Sequence, residues 1–175
     1  VTQYMRDQLE SDYSLTWGTL NAADYGIPQR RERFFLIGHK GPEQPSFPLP
    51  THFESQKLWK WYRSQLTPTP DYQPEPWVTV AQTFKEISED AVDREDYVVM
   101  NISSRVKDRM TYIGPGENFH ALPMEMRPNC WRTGKHQGRD TFGRMRPDRP
   151  AHTIRTAAYN PSKGQYIHPT EDRGL

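Results

Sequence analysis

The densest chemical signal is the run Gln29-Arg30-Arg31-Glu32-Arg33, set between a Tyr25-Gly26-Ile27-Pro28 turn and the apolar string Phe34-Phe35-Leu36-Ile37-Gly38. Side chains alternate across a strand, so Arg31 and Arg33 are expected to point one way and Arg30 and Glu32 the other. Two guanidiniums on one face of a strand end suit a phosphate or a base carbonyl, because the planar fork offers paired donors. The same run also fits an exposed sheet edge with salt-bridged arginines. A second concentration of arginine lies further on. Between Arg132 and Lys163 eight bases stand against two acids, a local charge of +6 within a chain whose net charge is +1. Such a stretch suits a polyanion, and it equally suits a solvated loop region.

The elements that must hold these residues can be read from periodicity. Thr2 to about Glu10 reads as a helix end with Tyr4, Met5 and Leu9 on one face. Leu15–Leu20 alternates as a half-buried strand. Arg33–Gly38 is a continuous apolar run, as expected of a strand buried on both faces, and the two can pair antiparallel at a sheet edge. Prolines at 42, 45, 48 and 50 make a stiff connector. A helix is expected over Glu54–Leu66, with Leu58, Trp59, Trp61 and Tyr62 on an apolar face. Thr79 suits the N-cap of a helix carrying Val80, Phe84 and Ile87, and Ser103 or Ser104 caps another with Val106, Met110 and Ile113. Gly114-Pro115-Gly116 stops that helix. Beyond Leu122 short β-prone pieces follow, at Thr141–Met145, His152–Thr156 and Gln165–His168. The expected division is 1–40, a proline-rich connector with a helix over 41–78, and a third region over 79–175.

Composition sets limits. With 34% hydrophobic residues, 16 prolines and a mean hydropathy of −0.96, the core is lean for 175 residues, which favours a piece that packs against something else. The one cysteine, Cys130, excludes an internal disulfide and a multi-cysteine zinc site. His136, His152 and His168 lack metal-ligand spacing, so no metal is expected. No signal pattern and no apolar run of membrane-spanning length occurs, which points to a cytoplasmic protein without a membrane partner. Acids dominate Asp71 to Asp96, eight against two bases.

The string Asn21-Ala22-Ala23-Asp24-Tyr25-Gly26-Ile27-Pro28-Gln29-Arg30-Arg31-Glu32-Arg33 followed by Phe34–Gly38 resembles the eighth conserved block of DNA (cytosine-5) methyltransferases. Pro50-Thr51-His52 and Trp77-Val78-Thr79-Val80 are similar to the connector and helix start that follow in many bacterial members. Ile113-Gly114-Pro115-Gly116-Glu117-Asn118 with Leu122-Pro123 looks like a further family stretch. Phe142-Gly143-Arg144-Met145 and Asp148–Ile154 resemble the ninth block and the Thr-Ile pair of the target-recognition domain. Ile167-His168-Pro169 and Arg173-Gly174-Leu175 match the lead-in to the tenth block. Several weak matches in the right order are far more specific than any one of them.

The resemblance implies an α+β fold: edge strands of an S-adenosylmethionine-dependent methyltransferase Rossmann-like sheet, then a small, irregular, β-rich target-recognition domain with short helices. It implies methyl transfer to C5 of a cytosine flipped out of double-stranded DNA, within a restriction-modification context. Arg33 and Arg31 would then be catalytic, Arg33 near the cytosine O2, with Gln29 supporting the turn. Thr153 would hydrogen-bond the DNA backbone, and Arg144, Arg155, Thr156, Arg146 and Arg132 would be further DNA contacts. The family's nucleophilic cysteine precedes the eighth block, whereas Cys130 follows it and reads as a packed or half-exposed structural thiol. The glycine-rich cofactor loop and the Glu-Asn-Val segment have no match. The chain is therefore expected to need the remainder of a methyltransferase chain as its partner, to bind no S-adenosylmethionine alone and to be inactive alone. A standalone nucleic-acid-binding module is the alternative, and an RNA methyltransferase relative a third reading.

Overall fold

The computed structural model describes residues 2–55, 60, 71–87, 101–134 and 138–175. The helix expected over Glu54–Leu66, much of the acidic stretch, Lys135 and His136 lie outside the described residues. The fold is α+β with two short sheets among the described residues. It falls into two compact units, Val1–Ile27 with Arg31–Trp77 and Pro28–Arg30 with Val78–Leu175.

In the first unit, helix α1 (Thr2–Leu9) leads into β1 (Ser14–Asn21), a short 3-10 turn (Ala22–Tyr25) and β2 (Glu32–His39). β1 and β2 pair antiparallel from Ser14↔His39 to Asn21↔Glu32, the pairing that alternation predicts. The proline-rich stretch belongs to this unit rather than standing free. Gln44 Nε2 donates to the Leu15 carbonyl at 2.6 Å, and the Ser14 hydroxyl donates to the Gly41 carbonyl at 2.7 Å. Prolines suit this stretch, since they have no N–H to leave unpaired where the chain runs beside a strand without joining its ladder. Two-residue strands β3 (His52–Phe53) and β4 (Glu75–Pro76) pair in parallel.

One expectation fails here. β2 is not buried on both faces: only Leu36 is even half-buried, and Phe34 is 51% exposed and Phe35 45%. An apolar run can be buried on two faces only if a layer covers each, and a two-stranded ribbon supplies none.

Among the described residues the second unit carries the larger core. Ile102, Met110, Ile113, Phe119, Leu122, Trp131, Phe142 and Ile167 form its main cluster, and Val80, Met145 and Ala151 a smaller one. Thr79 caps helix α2 (Val80–Glu86) through a complete capping box with Gln82, as the sequence suggests. Helix α3 (Ser104–Met110) has Ser103 at its N-cap, although that side chain makes no capping bond. Helix α4 is the single turn Asn129–Arg132.

The β-prone pieces do not become strands. They form isolated bridges, Arg144↔Ile167 in parallel and Ile167↔Gly174 antiparallel. Residues 141–145 are buried without a break and 164–169 likewise, so both faces of each piece are covered. Gly143 allows the two pieces to approach closely, since a Cβ there would meet Gln165 Cγ at 2.9 Å, while buried Phe142 at φ 49° lies outside the strand region and interrupts the extended run.

Candidate functional site

The loop from Asn21 to Glu32 is closed by its own first residue. The Asn21 side-chain carbonyl accepts from Ala23 N–H at 3.4 Å, capping the 3-10 turn, and from Arg31 N–H at 3.0 Å. Ala22 N–H donates back to the Arg31 carbonyl at 3.0 Å. Asp24 organises the opposite side. Its carboxylate accepts from the Trp77 indole N–H at 2.8 Å, and its carbonyl accepts from Thr51 N–H at 2.8 Å. Burial raises the Asp24 pKa above the ordinary carboxylate value, the Trp77 hydrogen bond opposes this, and the Glu32 and Glu54 charges reinforce it. Gly26 has φ 81°, and a Cβ there would lie 2.8 Å from His52 Cε1, so both conformation and space require glycine.

From this loop the chain delivers Arg31 and Arg33. Both are exposed. Arg33 donates to the Glu32 carbonyl at 2.6 Å, which among the described residues leaves four of its five N–H donors for solvent or a ligand. Gln29 is half-buried and sits in a parallel bridge with Ala151. Arg30 N–H donates to the Ala151 carbonyl at 2.8 Å, and Ala151 N–H donates to the Pro28 carbonyl at 2.9 Å. The Thr153 hydroxyl donates to the Arg30 carbonyl at 2.9 Å, across 123 positions of sequence.

The remaining expected DNA contacts separate by environment. Arg144 does not face solvent at all. It is 6% exposed, and its guanidinium donates to the carbonyls of Ile113, Met110, His168 and Glu171 and to the Asp172 carboxylate. The expectation of a DNA contact is corrected for a physical reason, because every donor edge is spent on this chain's own acceptors. Arg146 is exposed but lies along Gly116 and forks onto Asp148 at 3.0 and 2.8 Å. Arg132 donates to the carbonyls of Arg127 and Glu125. Arg155 is exposed, with one long contact of 3.4 Å to Asp140, and Thr156 is exposed. Cys130 is exposed rather than packed.

Asn21 and Ala151 lie within the motif strings, but the motif reading gave neither a role. Asn21 had a local signal, an Asn ahead of a turn. Ala151 had none, since its partners at Pro28–Arg30 are far away in sequence. Among the described residues no group of three or more His, Cys, Asp or Glu could hold a metal ion, and no helix is long and apolar enough to cross a membrane. The nearest approach to a glycine-rich loop, Gly114-Pro115-Gly116, does not fit S-adenosylmethionine. Its amides are spent on the Glu117 carboxylate and the Arg144 carbonyl.

A family sequence model described as C-5 cytosine-specific DNA methylase matches residues 2–175. The chain is 27% identical over 135 residues to the Type II methyltransferase M.BbvI of Brevibacillus brevis, covering 75% of this chain and 29% of that protein. It is 26% identical over 170 residues to the Type II methylase M.HgiDII of Herpetosiphon aurantiacus, covering 93% and 42%. Over a shorter stretch of 48 residues it is 44% identical to the Type II methyltransferase M.AquIA of a Picosynechococcus strain, covering 27% and 19%. The chain thus spans less than half the length of these relatives.

Proposed function

Because this chain belongs to the C-5 cytosine-specific DNA methylase family, we propose that it supplies one wall of the active site and the DNA-reading part of a restriction-modification methyltransferase. The observation that carries this is the exposed arginine pair Arg31 and Arg33, presented by a loop whose own backbone is tied down. Arg33 is the donor to the flipped cytosine. A fixed cation beside the ring stabilises charge that develops only as a nucleophile adds, and a rigid loop spends no free energy reorganising at that moment. Arg31 supports the same site, and Gln29 holds the turn through its bridge with Ala151. The methyl group comes from S-adenosylmethionine, which supplies an electrophilic carbon.

In the same reading, the β1–β2 ribbon is the edge of a larger methyltransferase sheet, and the exposed Phe34 and Phe35 support it, because an apolar strand implies cover on its faces. The region from Val78 onward is the target-recognition part. Arg155 and Thr156 are its candidate DNA contacts, since both are exposed and, among the described residues, the Arg155 guanidinium meets one long ion pair. Arg146 and Arg132 would each have to exchange an intramolecular partner for a phosphate, which ranks them behind.

The test is Arg33→Ala in the full-length protein, assayed for methyl transfer to a cytosine-containing duplex and for duplex affinity. Turnover should fall by about a hundredfold, the scale of losing one preorganised donor, with affinity changed by less than about threefold. Equal losses in both would reduce Arg33 to a DNA-positioning residue. Duplex binding with no methyl transfer by the unmutated protein would favour a nucleic-acid-binding module without that chemistry.

A further inference from the structure

We propose that Trp77 is a positioning residue for Arg31 and Arg33, acting through Asp24 and the short 3-10 turn that carries it. The proposal rests on the reading of the two arginines given above. Every residue it uses belongs to the first unit. An indole has one N–H donor and no acceptor. Here that donor goes to the Asp24 carboxylate at 2.8 Å, across 53 positions of sequence.

Three consecutive residues of the turn region are seated on the proline-rich connector. Asp24 accepts the indole N–H on its carboxylate and the Thr51 N–H on its carbonyl, both at 2.8 Å. The Tyr25 hydroxyl donates to the Pro48 carbonyl at 3.0 Å. Gly26 lies against the His52 ring, where a Cβ would come within 2.8 Å of Cε1. Trp77 is itself held. Its backbone N–H donates to the carbonyl of buried Phe53 at 3.0 Å, and Glu75 N–H donates to the Thr51 carbonyl at 2.9 Å, in the parallel pairing of β3 with β4. Two separate pieces of the connector thus close on each other and together on Asp24.

The turn passes this anchorage on to Arg31. Ala22–Tyr25 is one hydrogen-bonded piece, with Asn21 capping its front and the Gly26 N–H closing its back. Its front edge holds both peptide groups of Arg31. The Asn21 side chain accepts from Arg31 N–H at 3.0 Å, and Ala22 N–H donates to the Arg31 carbonyl at 3.0 Å. A tilt of the turn at Asp24 therefore moves the backbone on either side of Arg31, and with it the direction in which Arg31 and Arg33 leave. The indole N–H is what opposes such a tilt. It offsets the burial of the Asp24 carboxylate and the nearby Glu32 and Glu54 charges, all of which favour its release toward water.

The test uses the full-length protein and compares Trp77→Phe, which keeps a ring and removes the N–H, with Asp24→Ala and Asp24→Asn. Trp77→Phe should lower kcat about tenfold, the scale of a reacting group misplaced by a fraction of an ångström, with KM and duplex affinity within about twofold. Asp24→Ala should match that loss, and the double variant should be no worse than either single one, because both remove the same bond. Asp24→Asn keeps an acceptor and should retain most of the parent's kcat. Amide exchange gives a readout independent of activity. The amides of Ala23, Gly26 and Arg31 should exchange faster in Trp77→Phe, while those of Trp17 and Leu36 in the β1–β2 ladder stay as protected as before. Losses that multiply in the double variant would overturn the proposal, as would unchanged exchange at Arg31 or equal losses in kcat and duplex affinity. If Arg33→Ala leaves turnover intact, the catalytic reading fails, and exchange at Arg31 still decides whether Trp77 holds the turn.

Discussion

The arginine turn and the neighbourhood of Arg144 use the same side chain to opposite ends. At Arg144 the guanidinium is buried and meets four backbone carbonyls and a carboxylate, so a charged group works as an internal brace. At Arg31 and Arg33 the backbone is braced instead, by Asn21 and by the β1–β2 ladder, and the guanidiniums are left exposed. The difference lies in what supplies the acceptors. Where the chain's own carbonyls surround an arginine, it cannot serve a ligand. Where a polar side chain takes over the loop's N–H groups, the arginine is available.

The sharpest way to break this comparison is Arg144→Ala. It would leave several carbonyls and the Asp172 carboxylate without a partner, and it should destabilise the second unit by about 3–5 kcal/mol in urea denaturation. A loss under about 1 kcal/mol would mean that water replaces the guanidinium and that the brace is incidental. Arg33→Ala, by contrast, should change stability by less than about 0.5 kcal/mol, as exposed positions do.

Next in size is Gly116→Ala. Gly116 has φ 82°, and an added Cβ would meet Arg146 Cγ at 2.9 Å. The left-handed backbone and the contact together should cost about 1–2 kcal/mol. Thermal denaturation unchanged within error would show that the Gly114–Gly116 turn relaxes freely. Thr79→Ala should cost about 1 kcal/mol through the lost capping box. Its Ser variant should recover most of this.

A pH titration probes the same brace. His168 is buried between Phe84 and the Arg144 carbonyl network, and its Nδ1 accepts from Thr170 N–H at 3.3 Å and Glu171 N–H at 3.1 Å. Burial lowers its pKa below the ordinary 6.5; the Arg173 and Arg144 charges add to this and Glu171 opposes it. The unfolded chain therefore takes up the proton first. Stability from this group is full above about pH 6.5 and is lost as the pH falls toward the lowered folded value. His168→Gln should flatten that part of the profile, and a profile identical to the parent's would remove His168 as its cause.

The smallest expected effect is at the ribbon. Phe34→Ser with Phe35→Ser should shift the stability of this chain by less than about 1 kcal/mol, since both rings are about half exposed. It should reduce self-association measurably by light scattering, because an exposed apolar strand is an association surface. A large loss of stability would show that these rings are packed in solution.

What was legible in the sequence follows from the range of the interaction that decides it. The strand pair Ser14–Asn21 and Glu32–His39, the Thr79 N-cap and the loop between the strands are set by alternation, a cap residue and turn residues, all local in sequence. The family resemblance was legible for the same reason, because its blocks are local strings in a fixed order. Burial was not. The run Phe34–Ile37 carries the pattern of a covered strand, yet cover depends on what lies across each face, and periodicity does not record it. Arg144 reads like any basic residue of a polyanion-binding stretch until Met110, Ile113, His168 and Glu171 converge on it from up to 34 positions away. The hydrogen bond from Thr153 to the Arg30 carbonyl spans 123 positions. Residue types and their local order are enough to say which groups could do chemistry. Folding then selects the arginines that keep their donors, because a hydrogen-bond donor can be spent on any acceptor brought within reach, however distant in the chain.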